Sequence, residues 1–299
     1  MDDLIQSKLR EIFDDEKLVF DKSRFAGGLT NYNYVMSIGG KEYVVRKPGG
    51  MTDLMIDRHI EKVNTGIACD LGINSECFYF DEDTGIKISI YVGDSKNVAQ
   101  ADPCKIENIR AISGIMKKVH GSKIAFPNIF DWKDELEKYE GIIRDMRGDF
   151  FHDYQFLKEK LIRFIDKHII SLNLVPCHND TVPENFLVDE KGGSWLIDWE
   201  YAGMNDPSWD VAAYILESRL SDEAIQNLFN EYYGKTPDGK EIMKIKGFMM
   251  VQDLLWTIWA LIRHYNGEDF LDYCYMRYER FRKNMEHGDG EDLCLSCYL

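Results

Sequence analysis

Cys177-His178-Asn179-Asp180-Thr181-Val182-Pro183-Glu184-Asn185, followed beyond Lys191-Gly192-Gly193 by Trp195-Leu196-Ile197-Asp198-Trp199-Glu200, is the stretch on which the reading of this chain turns. The Gly-Gly pair marks a hairpin, and Trp195 to Ile197 reads as a short apolar strand ending on a carboxylate. A loop bearing an aspartate and, five positions on, an asparagine is thus brought back through a hairpin to a second aspartate at a strand end. Asp180, Asn185 and Asp198 are hard oxygen donors of the kind that hold a divalent cation. Asp and Asn also build turns. Turns alone would have to reproduce both spacings and the intervening hairpin by coincidence.

Outward from this segment the chain changes character twice. Toward the N-terminus, Phe25 to Ile38 reads as strand, glycine turn, strand; Gly39-Gly40 is a hairpin signal, and Tyr43 to Arg46 continues as a strand. A helix is expected from Thr52 to Leu71, capped by Thr52 or Asp53 and stopped by Gly72. Phe78 to Phe80 and Ile86 to Val92 then pair around Asp83-Thr84-Gly85. After Gly93-Asp94-Ser95 come amphipathic helices over Pro103 to His120, Asp131 to Arg147 and Tyr154 to Ser171, a shift that marks a boundary near residues 92 to 96. Leu174 to Gly203 is loop-rich, and Trp209 to Asn284 is helical again. The expected fold class is α+β, with residues 1–94 an antiparallel sheet around one helix and 95–299 a larger, mainly helical unit. The helices from Asp131 to Ser171 read as scaffold.

Composition narrows the function. The chain has 299 residues, 44% hydrophobic and 13% aromatic, enough for a sizeable core. A formal charge of −16 argues against a nucleic-acid partner, since phosphate backbones are bound by clustered Lys and Arg, and favours a cationic ligand. The greasiest run, Gly247 to Ile262, is interrupted by Gln252, Asp253 and Thr257, short of the roughly 18 apolar residues of a membrane span. Met1 to Glu11 is polar and acidic, unlike a signal peptide. Seven scattered cysteines then point to reduced thiols and a cytoplasmic location. Cys294 and Cys297 form one CxxC without the second pair a structural zinc site needs, and read as tail.

His178-x-Asp180-x4-Asn185 has the spacing of a kinase catalytic loop, in which the Asp accepts the substrate hydroxyl proton and the Asn reaches a metal. Phosphoryl transfer is mostly positioning and charge neutralisation, so it needs oxygen ligands for Mg²⁺ and one carboxylate beside the nucleophile. The chain resembles the choline kinase branch of the aminoglycoside phosphotransferase and choline/ethanolamine kinase superfamily, close to the bacterial licA-type enzymes, over nearly its whole length. The most specific piece is Ile197-Asp198-Trp199-Glu200-Tyr201-Ala202-Gly203-Met204-Asn205-Asp206-Pro207, with Trp209-Asp210 beyond. Protein kinases carry Asp-Phe-Gly there, whereas Asp-Trp-Glu-Tyr is similar to choline kinases. The absence of a Walker-type GxxxxGK[ST] agrees with a kinase-type nucleotide site.

The resemblance implies a two-lobed protein-kinase-like fold with ATP in the cleft near the hinge. Gly27-Gly28-Leu29-Thr30-Asn31 resembles the family's nucleotide loop, where glycine lets backbone donors approach phosphates; a glycine pair in a hairpin is otherwise just a turn. Arg46, or adjacent Lys47, is the strand cation expected on the ATP phosphates. Glu61 is the best helix partner, with His59 and Asn64 near the same place. Mg²⁺ is expected on Asn185 and Asp198, with Glu200 approaching a second metal. For the acceptor, the family's Trp-x-x-Trp helix and following Tyr match Trp256, Trp259 and Tyr273. Tyr201 joins them, and Glu217, seven positions after Asp210, resembles the family's acidic residue. A quaternary ammonium cannot donate a hydrogen bond, so π faces with a nearby negative charge suit it. Two tryptophans three apart on an apolar helix are otherwise ordinary core. Asp210 and His178 read as braces of the catalytic loop, His120 as helix-end packing.

The function expected is ATP- and Mg²⁺-dependent phosphorylation of choline, with Asp180 as base. Ethanolamine or an aminoglycoside is the alternative acceptor. A rival of another class is an inactive choline- or nucleotide-binding module, whose mark would be a missing base or metal ligand.

Overall fold

Gly39 and Gly40 take φ of 58° and 79°, the paired left-handed conformation that closes a two-residue hairpin without splaying its strands. They join β2 (Asn31–Ile38) to β3 (Lys41–Pro48) in an antiparallel pair running from Asn31 opposite Pro48 to Ile38 opposite Lys41. The computed structural model describes residues 2–18, 25–27, 30–286 and 295–299. The chain divides into two compact units, Met1–Asp94 and Ser95–Leu299.

In the first unit, β1 (Phe25–Gly27), β2, β3, β4 (Cys77–Phe80) and β5 (Lys87–Ile90) form one antiparallel sheet in the order β1-β2-β3-β5-β4. Its core joins Met36, Tyr43, Val45, Ile86 and Ile88 to Ile5 and Leu9. The last two lie one turn apart on α1 (Asp2–Phe13), a helix that the polar reading of the N-terminus did not include. The helix expected over Thr52 to Leu71 is two, α2 (Thr52–Met55) and α3 (Arg58–Asp70). Extended Ile56 interrupts it, and the Asp57 carboxylate accepts the Ile60 N–H at 3.0 Å, capping α3. Neither expected cap serves: Thr52 Oγ1 donates instead to the Gly49 carbonyl at 2.9 Å, and Met51 precedes α2 without a side-chain bond.

The second unit opens with β6 (Ser95–Asn97), which pairs with β8 (Phe186–Asp189) in the sheet β6-β8-β9, where β9 is Ser194–Leu196. A two-stranded ribbon pairs β7 (Val175–Cys177) with β10 (Gly203–Asn205). Helices α4 (Ile106–His120), α5 (Trp132–Asp145), α6 (Tyr154–His168), α7 (Pro207–Ser218), α8 (Asp222–Tyr233), α9 (Gly239–Tyr265) and α10 (Leu271–Glu286) make up the rest. α4 starts three residues later than expected, behind Asp102 in the left-handed region, with Asn108 Nδ2 donating to the carbonyls of Ala101 and Asp102. α6 stops three residues early, at an Ile169 whose backbone is no longer helical. The 27-residue α9 packs against α5, α6, α7 and α10. It is long and apolar enough to cross a bilayer, contrary to the expectation from its interruptions, yet its apolar window is wholly buried inside this unit. Apolarity on all sides is what a central core helix needs.

Candidate active site

The loop after β7 is held by one carboxylate. Asp210, near the start of α7 and buried, accepts the backbone N–H groups of His178 (2.9 Å) and Asn179 (2.8 Å), and its Oδ2 lies 2.9 Å from His120 Nε2. Thr181 Oγ1 donates to the Asp210 carbonyl at 2.6 Å. His120 therefore does more than pack a helix end: it ties α4 to the loop brace, with Tyr232 OH 2.6 Å from its other nitrogen. His178 Nε2 donates to the Ile197 carbonyl at 2.9 Å, while its Nδ1 accepts the Asp180 N–H at 3.2 Å. Accepting at Nδ1 requires the neutral imidazole, and burial lowers its pKa in the same direction, against the pull of Asp210. Both nitrogens are committed to shaping the loop.

Asn179 and Asp198 sit at φ of 66° and 70°. Left-handed backbone is uncommon outside glycine and clusters where structure serves function. Here the two residues bracket Asp180. Asn185 Nδ2 donates to both the carbonyl (2.9 Å) and Oδ2 (3.0 Å) of Asp180. With that nitrogen engaged, Oδ1 is the Asn185 atom able to ligate a cation. Asp198 and Glu200 each present an oxygen within 4.8 Å of the other. This all-oxygen set fits a hard cation such as Mg²⁺. Burial, then the Asp198, Glu200 and Glu217 carboxylates, push the Asp180 pKa well above the ordinary value, against the Asn185 bond.

Beside these carboxylates stands an aromatic wall. Tyr201 meets Trp256 edge-on with centroids 5.1 Å apart, Trp256 meets Trp259 at 6.5 Å, and Trp259 meets Tyr273 at 6.4 Å and Phe270 at 5.1 Å. The four aromatic residues expected on the acceptor thus form one continuous run of ring contacts. Trp259 Nε1 is buried without a hydrogen-bond partner among the described residues, which is unusual for a plain core tryptophan. Glu217 Oε2 accepts from Arg277 Nη2 at 2.6 Å, while Glu217 Oε1 is buried and has no hydrogen-bond partner among the described residues. Burial raises the Tyr273 phenol to about 12, against Arg277, with Glu217 and Asp180 adding to the rise. Asp180, Glu217 and Tyr273 therefore lie within electrostatic reach of one another. Tyr139, wholly buried on α5, is close to Tyr201: burial first, then Tyr139 and Glu200, push the Tyr201 phenol up. Tyr139, Phe270 and Arg277 were not among the expected residues. For Arg277 the signal available was its spacing, one turn beyond Tyr273.

Of the two candidate strand cations in the first unit, Arg46 is the buried one and Lys47 is not. Arg46 forms a two-pronged pair with Glu61 and donates to the Gly85 carbonyl at 3.0 Å. Lys47 lies over the Tyr32 ring. Glu61 also receives Arg58 Nη1 (2.6 Å) and Lys87 Nζ (3.1 Å). Burial raises its pKa, but Arg46, Lys87 and Arg58 outweigh burial and hold it well below the usual range. His59 faces Glu82 instead, and Asn64 is buried on α3. Gly27 closes β1, Thr30 lies in the bend before β2, and Asn31 begins β2 and is buried. Gly28 and Leu29 fall outside the described residues, as does Cys294.

A family model described as choline/ethanolamine kinase matches residues 23–241. The chain belongs to the choline/ethanolamine kinase family. Among relatives in this family, the protein LicA of Haemophilus influenzae is 31% identical over 270 residues, covering 87% of this chain and 78% of LicA. A crystal structure of LicA in complex with AMP superposes with a TM-score of 0.83 at 29% identity, over 95% of this chain and 97% of the other. That of the choline kinase LicA from Streptococcus pneumoniae gives 0.81 at 28% identity, over 95% and 99%. The fold is accordingly the two-lobed protein-kinase-like one, and the chain is a phosphotransferase of the choline kinase type.

Proposed function

We propose that this choline/ethanolamine kinase family member transfers the γ-phosphoryl group of ATP to the hydroxyl of choline, giving phosphocholine and ADP. The observation that carries this reading is the adjacency, within Ser95–Leu299, of Asp180 to the Tyr201–Trp256–Trp259–Tyr273 wall and Glu217. Aromatic faces and one carboxylate recognise a methylated cation. Asp180 beside them takes the proton of the attached alcohol as its oxygen bonds to the γ-phosphorus and the bond to the β-phosphate oxygen breaks. Asn185 fixes the Asp180 carboxylate for that task, and the Asp210–His178 braces hold the loop beneath it. Asn185, Asp198 and Glu200 would hold Mg²⁺, which when bound neutralises charge on the phosphate oxygens. In the first unit, Arg46 anchored by Glu61, together with the turn over residues 27–31, is assigned to the nucleotide phosphates. The setting proposed is cytoplasmic, in keeping with the free thiols of Cys69, Cys77, Cys104, Cys177, Cys274 and Cys297.

Ethanolamine is the second acceptor, since the Tyr201–Trp256–Trp259–Tyr273 faces and a nearby carboxylate also attract a primary ammonium. An inactive module fits poorly, since Asp180, Asn185 and Asp198 are all present in the sequence. The test is to incubate the protein with ATP, Mg²⁺ and choline and follow ³¹P resonances. Phosphocholine appearing in step with ADP is the expected result; ATP left intact overturns the proposal.

A further inference from the structure

Tyr273 and Arg277 lie one helical turn apart on α10, so their side chains share a face. The Arg277 guanidinium stands over the Tyr273 ring, its carbon 4.9 Å from the centroid. Nη2 donates to the Tyr273 phenol oxygen and to Glu217 Oε2, both at 2.6 Å, and Nη1 donates to Asp253 Oδ1 at 3.2 Å. Asp253, fully buried on α9 three residues before Trp256, is held in turn by Arg280 at 2.8 and 2.6 Å. A single guanidinium, 2% exposed, thus joins α7, α9 and α10. Each of those helices also supplies the aromatic wall or its carboxylate: Glu217 from α7, Trp256 and Trp259 from α9, Tyr273 from α10. With Oε2 committed, Oε1 is the Glu217 atom left for a ligand, and its carboxylate cannot advance without breaking the fork.

We propose that Arg277 is a positioning residue that sets the acceptor preference of this site. It pins Glu217 at a stand-off suited to a quaternary ammonium, which is attracted by charge and keeps the carboxylate away by the thickness of its methyl groups. The same pinning denies Glu217 the approach to about 2.8 Å that a primary ammonium needs for a charge-assisted hydrogen bond. Lysine replaces it only in part, because a point donor does not bridge three acceptors as a planar fork does. The inference rests on reading the site as that of a cationic-alcohol kinase.

The experiment measures kcat and KM for choline and ethanolamine with the wild type, Arg277→Met, Arg277→Lys and Tyr273→Phe, with Tm recorded for each. In Arg277→Met, choline KM should rise about tenfold at a kcat within about twofold of wild type, while ethanolamine KM stays or falls, so that the choline-to-ethanolamine ratio of kcat/KM drops about tenfold. Arg277→Lys should fall between. Tyr273→Phe, which keeps the ring and removes one anchor of the fork, should shift the ratio the same way by about threefold. Equal losses on both alcohols, or losses confined to kcat, overturn the proposal, since a merely structural arginine predicts them. If Arg277→Met does not fold, an unchanged ratio in Arg277→Lys and Tyr273→Phe overturns it. Wild-type turnover of neither alcohol overturns the functional reading and this inference with it; wild-type turnover with unmoved ratios in the variants overturns this inference alone.

Discussion

Asp180 is held in an environment that disfavours its charge. Because its pKa is raised by burial and by three neighbouring carboxylates, the folded protein binds a proton there more tightly than the unfolded chain does. That contribution to stability is fully present below the ordinary aspartate range and is lost as pH rises through the Asp180 pKa, so the ionised carboxylate is a cost to the fold. Asp180→Asn should therefore lower kcat by about 100-fold or more while raising the Tm of the nucleotide- and metal-free protein by a few degrees. A lower Tm would contradict this account of the carboxylate. Nearby, Asn179 and Asp198 in left-handed backbone belong to the same trade of stability for placement.

At the scale of elements, the first unit is clamped where β3 meets α3. Glu61 answers Arg46, Arg58 and Lys87 at once, and its lowered pKa means that its contribution is present above the ordinary glutamate range and lost on acidification. Glu61→Gln leaves buried cations short of their counter-charge and should cost about 3 kcal/mol in denaturant unfolding at pH 7. In the second unit, Trp259→Leu on α9 removes a π face and should raise choline KM about tenfold with kcat little changed, read from initial rates. Legibility followed the range of the interactions. Gly39-Gly40 announced its hairpin because positive φ is a local demand, and Asp180, Asn185 and Asp198 were readable because loop spacing is local too. The break between α2 and α3 was not, since it depends on the Asp57 carboxylate winning the Ile60 N–H over continued helix. The clasp of Arg277 on Glu217 spans 60 residues and that of His120 on Asp210 spans 90, and such pairs leave no periodicity in the sequence. α1 was missed because Ile5 and Leu9 are a sparse stripe among charges.

For the whole molecule, the family and fold are those of choline/ethanolamine kinases, and the groups proposed as base and acceptor site all lie within Ser95–Leu299. A formal charge of −16 suits attraction of a small cationic alcohol, an effect that weakens as salt is added. Chelation of divalent ions should abolish turnover and excess Mg²⁺ restore it, measured as ADP release; turnover that survives chelation would remove Asn185, Asp198 and Glu200 from their assigned role. The most direct measurement of the central claim is kcat/KM with ATP and Mg²⁺ for choline, ethanolamine and an aminoglycoside side by side. A preference for choline of about tenfold or more, roughly 1.4 kcal/mol in the transition state, is predicted from the aromatic wall and the pinned Glu217. Turnover of an aminoglycoside at or above the rate with choline, or of none of the three, would contradict it.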